Sequence, residues 1–189
     1  MKKLLITLIG SIVFALPAIA ALGIGAAAPN FEAKASLNGE AFDYSLSEAL
    51  KDGNVVVYFY PSAYTRGCNI QAHEFAENMD KFNEAGASVV GVSLDSIERL
   101  NDFSADPEFC AGKLAVASDE SGDIARSYDL SVRDAREGAE DSRGVEIGHG
   151  FAERMTFIVT SDGKIAASIG GVSPLENVEK ALKAVRQLQ

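Results

Sequence analysis

The run NVVVYFY, residues 54–60, is apolar almost without interruption. Such a run suits a strand covered on both faces, and so a sheet with packed layers on either side. From Asn69 to Ala85 the period changes. Ala72, Phe75, Ala76, Met79 and Phe82 follow helical spacing, which predicts one helix over that stretch. Between strand and helix lies PSAYTRGC, Pro61 to Cys68, which sets a cysteine at the strand-to-helix junction. A thiol at a helix N-terminus faces unpaired N–H groups and the positive end of the macrodipole, which favour a negative sulfur. A thiolate is the nucleophilic form of that side chain.

The rest of the chain extends this strand, turn and helix frame. Residues 31–44 alternate around Asn38-Gly39, a dipeptide suited to a tight hairpin turn. SVVGVSL (88–94) reads as a strand, followed by a helix bearing Ile97, Leu100 and Phe103 that stops near Pro107. KLAVAS (113–118) is a further strand, and Ile124 to Tyr128 a short helix. MTFIVT and KIAASI, within 155–169, read as two strands joined by Ser161-Asp162-Gly163. The last helix is capped by Ser173, with Pro174 at N1 and Glu176 at N3. Leu175, Val178, Leu182, Val185 and Leu188 fall on its apolar face. The fold class is α/β, with a mixed central sheet, flanking helices and an N-terminal β-hairpin. Residues 131–150, SVRDAREGAEDSRGVEIGHG, break the rhythm with charges and glycines, and read as a solvated surface insertion or, alternatively, a lid.

Residues 1–20, MKKLLITLIGSIVFALPAIA, carry two lysines, an apolar run and Ala18 and Ala20 in a small-x-small pattern. This is the pattern of a secretory signal peptide cleaved after Ala20, with an uncleaved anchor as the alternative. Residues 21–189 then form one domain by length, exported and expected in a periplasm, with no membrane association after cleavage. The chain has a net charge of −10, which weighs against nucleic acid or an anionic membrane as partner. Two cysteines, Cys68 and Cys110, are too few for a disulfide scaffold but enough for a redox couple in an oxidising compartment.

Pro61 lies seven residues and Thr65 three residues before Cys68, a PxxxTxxC spacing. With the surrounding APNF, VVVYFYPSAYTRGCNIQAHEF, VVGVSLD, LAVASDESGDIARSYDL and RMTFIVTSDGKI, the chain resembles the peroxiredoxins of the AhpC/TSA superfamily, in particular the bacterioferritin-comigratory or Q-type group. The resemblance implies a thioredoxin-like fold and a thiol peroxidase that reduces hydrogen peroxide or small alkyl hydroperoxides in antioxidant defence. It implies no haem, flavin or metal cofactor, and recycling by a thioredoxin-like dithiol. Pro61, Thr65 and Cys68 match the family's active-site signature, Cys68 as the peroxidatic residue, and Arg154 matches the arginine that opens the later strand. A monomer or weak homodimer is expected.

The chemistry asks for the same residue types. A thiolate attacks one peroxide oxygen while charge builds on the departing one, so donors must face both oxygens. The helix N-terminus and Arg154 would hold the sulfur, Thr65 would donate or accept at the peroxide, and Pro61 would cover the pocket. Lowering a cysteine pKa from 8.5 to about 6 raises the thiolate fraction at pH 7 only about thirty-fold. Enzymatic accelerations begin near ~10⁶, so positioned donors must contribute more than acidity does.

Cys110 is the candidate resolving cysteine. In the Q-type pattern that residue often lies five after the nucleophile, where this chain has His73. Other members carry it in the helix two elements later, where FCAGKL places Cys110. A buried inert thiol and a permanent disulfide, the latter worth about 4 kcal/mol for a loop of this length, are the alternatives. Cys68, His73, Cys110 and His149 match no zinc spacing, so no metal site is expected; His73 is expected at the pocket rim or in solvent. Rival readings on the same fold are a thiol-disulfide oxidoreductase, disfavoured because Gln71 stands where a CxxC partner would be, and a periplasmic metal carrier.

Overall fold

The computed structural model describes residues 21–189. The leader expected over residues 1–20 lies outside the described residues. The chain runs β1 (Glu32–Leu37), β2 (Glu40–Ser45), α1 (Leu46–Ala49), β3 (Asn54–Phe59), α2 (Arg66–Glu77), α3 (Met79–Glu84), β4 (Ala87–Ser93), α4 (Ile97–Ala105) and β5 (Ala115–Ser118). There follow α5 (Asp123–Ser127), β6 (Val132–Arg133), β7 (Phe151–Ala152), β8 (Met155–Val159), β9 (Ile165–Gly170) and α6 (Pro174–Arg186).

Seven strands make one mixed sheet in the order β2-β1-β5-β4-β3-β8-β9. β3, β4 and β5 run parallel, joined by helical crossovers, while β8 lies antiparallel to β3 on its other side. The hairpin expected at Asn38-Gly39 is present: both residues have positive φ, 52° and 83°, as a two-residue primed turn demands. β3 is central, and its residues from Val55 on are all buried. Val56 and Tyr58 point into a core built with α2, α3, α4 and α6. Val55, Val57 and Phe59 point into a second core with Leu46, Ala125, Tyr128 and Phe157. The apolar run is therefore used on both faces, each large side chain contributing roughly 1.5–3 kcal/mol by its removal from water.

The structure departs from the sequence reading at four places. The single helix expected over 69–85 is two helices meeting at Asn78, whose side-chain amide donates to Glu74 O at 2.7 Å and competes with the helical ladder. The apolar spacing survives the break, since Phe75 and Phe82 pack with ring centroids 5.6 Å apart. On α6, Val178, Leu182 and Val185 are buried, but Leu175 in its first turn and Leu188, past its end at Arg186, are 45% and 41% exposed. Cys110 lies in a tight turn after α4 rather than in a helix, with Ala111 and Gly112 both at positive φ.

The fourth departure concerns residues 131–150, which are not a free surface insertion. β6 pairs with β7, Ala139, Asp141 and Ile147 are buried, and Ile147 N donates to Ala139 O at 2.7 Å. Most of its charges face solvent, but Asp141 pairs with Arg143 and Arg99 and His149 with Asp95, which ties the segment to the cysteine loop.

Candidate active site

β3 ends at Phe59, and Pro61 to Thr65 turn the chain into α2, in which Cys68 is the third residue. Thr65 holds the N-cap position without capping: its hydroxyl donates to Ser62 O at 2.9 Å. A threonine at this position ordinarily accepts from the N2 or N3 amide. Here no side chain caps the first turn, whose N–H groups are left without side-chain acceptors. Cys68 is buried.

Arg154 immediately precedes β8, whose Met155 is registered against Phe59 of β3. That register brings the guanidinium to the far side of the cysteine, where Nη2 donates to Cys68 Sγ at 3.2 Å. Nη1 donates to Gln71 Oε1. Gln71 is buried and passes the constraint on: its amide donates to Asn177 Oδ1 at 2.9 Å, which also accepts from the Thr156 hydroxyl at 2.6 Å. Asn177 donates in turn to Ile169 O at 3.0 Å. The guanidinium fork is thus set by α2, α6, β8 and β9 together. Gly67 makes room for it, since a Cβ there would come within 3.2 Å of Arg154 Nη2 and 3.5 Å of Pro174 Cγ.

A second network holds the loop before Cys68. Asp95, buried just past β4, accepts from Ser62 Oγ at 2.9 Å, Ala63 N at 2.7 Å, Ser93 Oγ at 2.7 Å and Arg99 Nε at 2.8 Å. His149 Nε2 reaches the same carboxylate at 2.9 Å. Arg99 also donates to Ala63 O at 3.0 Å and to Asp141 at 2.8 Å. Tyr64, next to the N-cap, sits at φ 61°. An L-residue pays about 1 kcal/mol or more for that left-handed backbone, so it persists only where its surroundings enforce it.

The structure brings Arg154 to Cys68, with Thr65 at the N-cap of the same helix and Pro61 half-buried at the start of the loop before it. Cys110 is fully buried in the core that also holds Cys68, Tyr64 and Phe103, and burial pushes its thiol well above the ordinary range. Both cysteines are free thiols. His73 is exposed and its Nδ1 lies 3.1 Å from Glu108 O, while His149 is turned to Asp95. Among the described residues no three His, Cys, Asp or Glu side chains gather as a metal site would require.

Sequence reasoning missed Gln71, Asn177, Asp95 and Arg99. Two of them left a signal. Gln71 falls on the apolar stripe formed with Cys68, Ala72 and Phe75, and Asn177 on that of Val178 and Ala181. A polar side chain on a core-facing stripe needs a buried partner.

A central parallel strand that delivers a cysteine to the first turn of a helix, opposed by an antiparallel neighbour, is the arrangement of the thioredoxin-like α/β proteins. The fold is similar to that of peroxidoxin BcpB from Mycobacterium tuberculosis, with a TM-score of 0.73 and 27% identity over 88% of this chain and 97% of that one. The AhpC/TSA family model matches residues 24–168, and the chain belongs to that family. Peroxiredoxin Bcp of Escherichia coli strain K12 is 33% identical over 111 residues, 59% of this chain and 64% of that protein, so the match spans under two thirds of the relative's length. The bacterioferritin comigratory protein of Xanthomonas campestris, described in structures bearing on its alkyl peroxide reduction activity, is 25% identical with a TM-score of 0.64, covering 82% of this chain and 90% of that one.

The Asp95–His149 pair has a definite pH signature. Burial alone would lower the His149 pKa, but the Asp95 carboxylate and Gly150 O outweigh it and hold the value above the usual range. Burial alone would raise Asp95, but donors led by His149 hold it below the usual range. Both ring nitrogens face acceptors, Gly150 O at 2.7 Å and Asp95, so only the imidazolium satisfies both. Its stabilisation is full below the unfolded histidine pKa of about 6.5 and is lost as pH rises through the elevated folded value. The Asp95 contribution is present above about 3.9 and is lost as pH falls through the depressed folded value. Chemical denaturation of the wild type and of His149→Gln should differ most between about pH 4 and 6.5, the gap closing on either side. A gap independent of pH would contradict the ion pair.

Proposed function

We propose that this chain is a thiol peroxidase of the Q-type group, with Cys68 as the peroxidatic residue. The observation that carries the reading is the Arg154 Nη2 donor on Cys68 Sγ at 3.2 Å, opposite a first helical turn that no side chain caps. The thiolate attacks one peroxide oxygen and the O–O bond breaks. The departing oxygen takes a proton and leaves as water or alcohol, and Cys68 becomes a sulfenic acid. Arg154 and the helix amides stabilise the sulfur before attack and the charge that develops during it. The Thr65 hydroxyl spends its proton on Ser62 O and keeps its lone pairs to accept from the hydroperoxide O–H. Hydrogen peroxide and small alkyl hydroperoxides are the substrates, in keeping with the names of the E. coli and X. campestris relatives.

Cys110 is the resolving cysteine in this reading. Its thiol attacks the Cys68 sulfenic acid, the S–S bond forms and water leaves with the thiol proton. A thioredoxin-like dithiol then reduces the disulfide. Both thiols are buried, so an external dithiol reaches the disulfide only if α2 unwinds from its N-terminus or the turn around Cys110 opens. Peroxide consumption with a dithiol reductant should vanish in Cys68→Ser, and wild-type protein given one equivalent of peroxide should lose two hydrogens to a Cys68–Cys110 disulfide. Activity surviving in Cys68→Ser would overturn the assignment. A lasting sulfenic acid without disulfide would remove Cys110 from the cycle.

We infer export from the sequence of residues 1–20, whose lysines, apolar run and Ala18-x-Ala20 pattern fit a cleaved leader. N-terminal sequencing of protein from the periplasmic fraction should begin at Ala21. Recovery in the cytoplasm with Met1 or Lys2 at the N-terminus would refute this.

A further inference from the structure

The segment between β6 and β7 grips the cysteine loop at its most strained point. Ser142 N and Ser142 Oγ both donate to Tyr64 O, at 2.9 and 2.7 Å. The Arg143 guanidinium lies over the Tyr64 ring, 3.3 Å from its centroid, and is itself fixed to the Asp141 carboxylate at 2.9 Å. Asp141 is buried and also accepts from Arg143 N at 2.7 Å and Val145 N at 3.1 Å, which winds 141–145 into a tight turn. Arg99 bridges the turn to the loop through Asp141 and Ala63 O.

These contacts act on one peptide unit. Tyr64 adopts the left-handed backbone, φ 61°, one residue before the N-cap of α2. The peptide is planar and trans, so a carbonyl pinned to Ser142 fixes the direction of the whole Tyr64–Thr65 unit. That unit carries Thr65 and leads into the first turn of α2, where Cys68 is the third residue. Among the described residues Ser142 alone donates to that carbonyl while Arg143 covers the ring, and without them the left-handed backbone would relax toward commoner conformations.

We propose that Ser142 and Arg143 are positioning residues for peroxide reduction, clamping Tyr64 so that Thr65 and the first turn of α2 stay aligned with Cys68. The proposal rests on the peroxidase reading. It assigns a role to the charged 131–150 segment, which acts on the loop before Cys68 through Tyr64 and also meets α2 where Asn69 Nδ2 donates to Ser142 Oγ at 3.5 Å. The clamp controls alignment rather than sulfur acidity, because Arg154, not Ser142, donates to the sulfur.

The test compares two reactions of the same thiol in full-length protein. Stopped-flow oxidation of Cys68 by hydrogen peroxide needs the aligned donors, whereas alkylation by iodoacetamide needs only a thiolate. Ser142→Ala should slow oxidation about five- to tenfold, the worth of one hydrogen bond expressed as a rate. Adding Arg143→Met should slow it further, with alkylation within about twofold of wild type in both variants. Ser142→Thr, which keeps the hydroxyl, should restore oxidation. If Ser142→Ala does not fold, Arg143→Met alone should still separate the two rates. Unchanged oxidation, or oxidation and alkylation falling together, overturns the clamp. Wild-type Cys68 that fails to react with peroxide at all overturns the peroxidase reading and the clamp with it, a result distinct from a reactive wild type matched by its variants.

Discussion

The antiparallel register of β8 on β3 is the constraint from which the site follows. Phe59 faces Met155 across that ladder, so the residue before Met155 emerges beside the loop that leaves β3. Arg154 is 86 residues from Cys68 in sequence and within hydrogen-bonding distance of it in space for this reason. A slip of one residue would turn Phe157 and Thr156 to the wrong cores and carry the guanidinium away from the sulfur. The doubly buried β3 forbids the slip, because each of its faces already has a filled core. Packing in the sheet thus sets the geometry of a polar contact at its end.

Around that contact the molecule spends its buried polar groups on alignment. Gln71 and Asn177 hold one arm of the guanidinium, Asp95 and Arg99 hold Ser62 and Ala63, and the 141–145 turn holds Tyr64. Buried networks of this kind are costly unless fully satisfied, and satisfied they fix one arrangement. An arrangement that served only to make a more acidic thiol would need none of these outer partners. They suit a reaction in which donors must be in place before charge moves between sulfur and two oxygens.

Much of this was legible in the chain. The two-faced strand, the cysteine junction, the hairpin at Asn38-Gly39 and the cap at Ser173 each follow from a local rule, and Ser173 Oγ does accept from Glu176 N at 3.2 Å. PxxxTxxC, with the resemblance it carries, was enough to pick out Cys68, Thr65 and Arg154. What was not legible depends on long-range pairing. The charges of 131–150 have no period and look solvated, as most are, and only the docking of Asp141 beside Arg99 shows that one of them is used internally. The break at Asn78 arises from a competing side-chain hydrogen bond that apolar spacing does not register. Gln71 was read as a missing second cysteine, when its amide is the support that orients Arg154.

The central claim is that positioned donors, beyond thiol acidity, make Cys68 reactive toward peroxide. It is tested most directly by the second-order rate of Cys68 oxidation by hydrogen peroxide in wild type and Arg154→Lys, with alkylation measured in parallel. Lysine keeps the charge and loses the fork that joins Gln71 to the sulfur. The account predicts that oxidation falls about 10²- to 10³-fold, the usual cost of one lost transition-state donor, while alkylation falls by no more than the roughly thirty-fold that acidity can supply. Oxidation and alkylation falling by the same factor would contradict it.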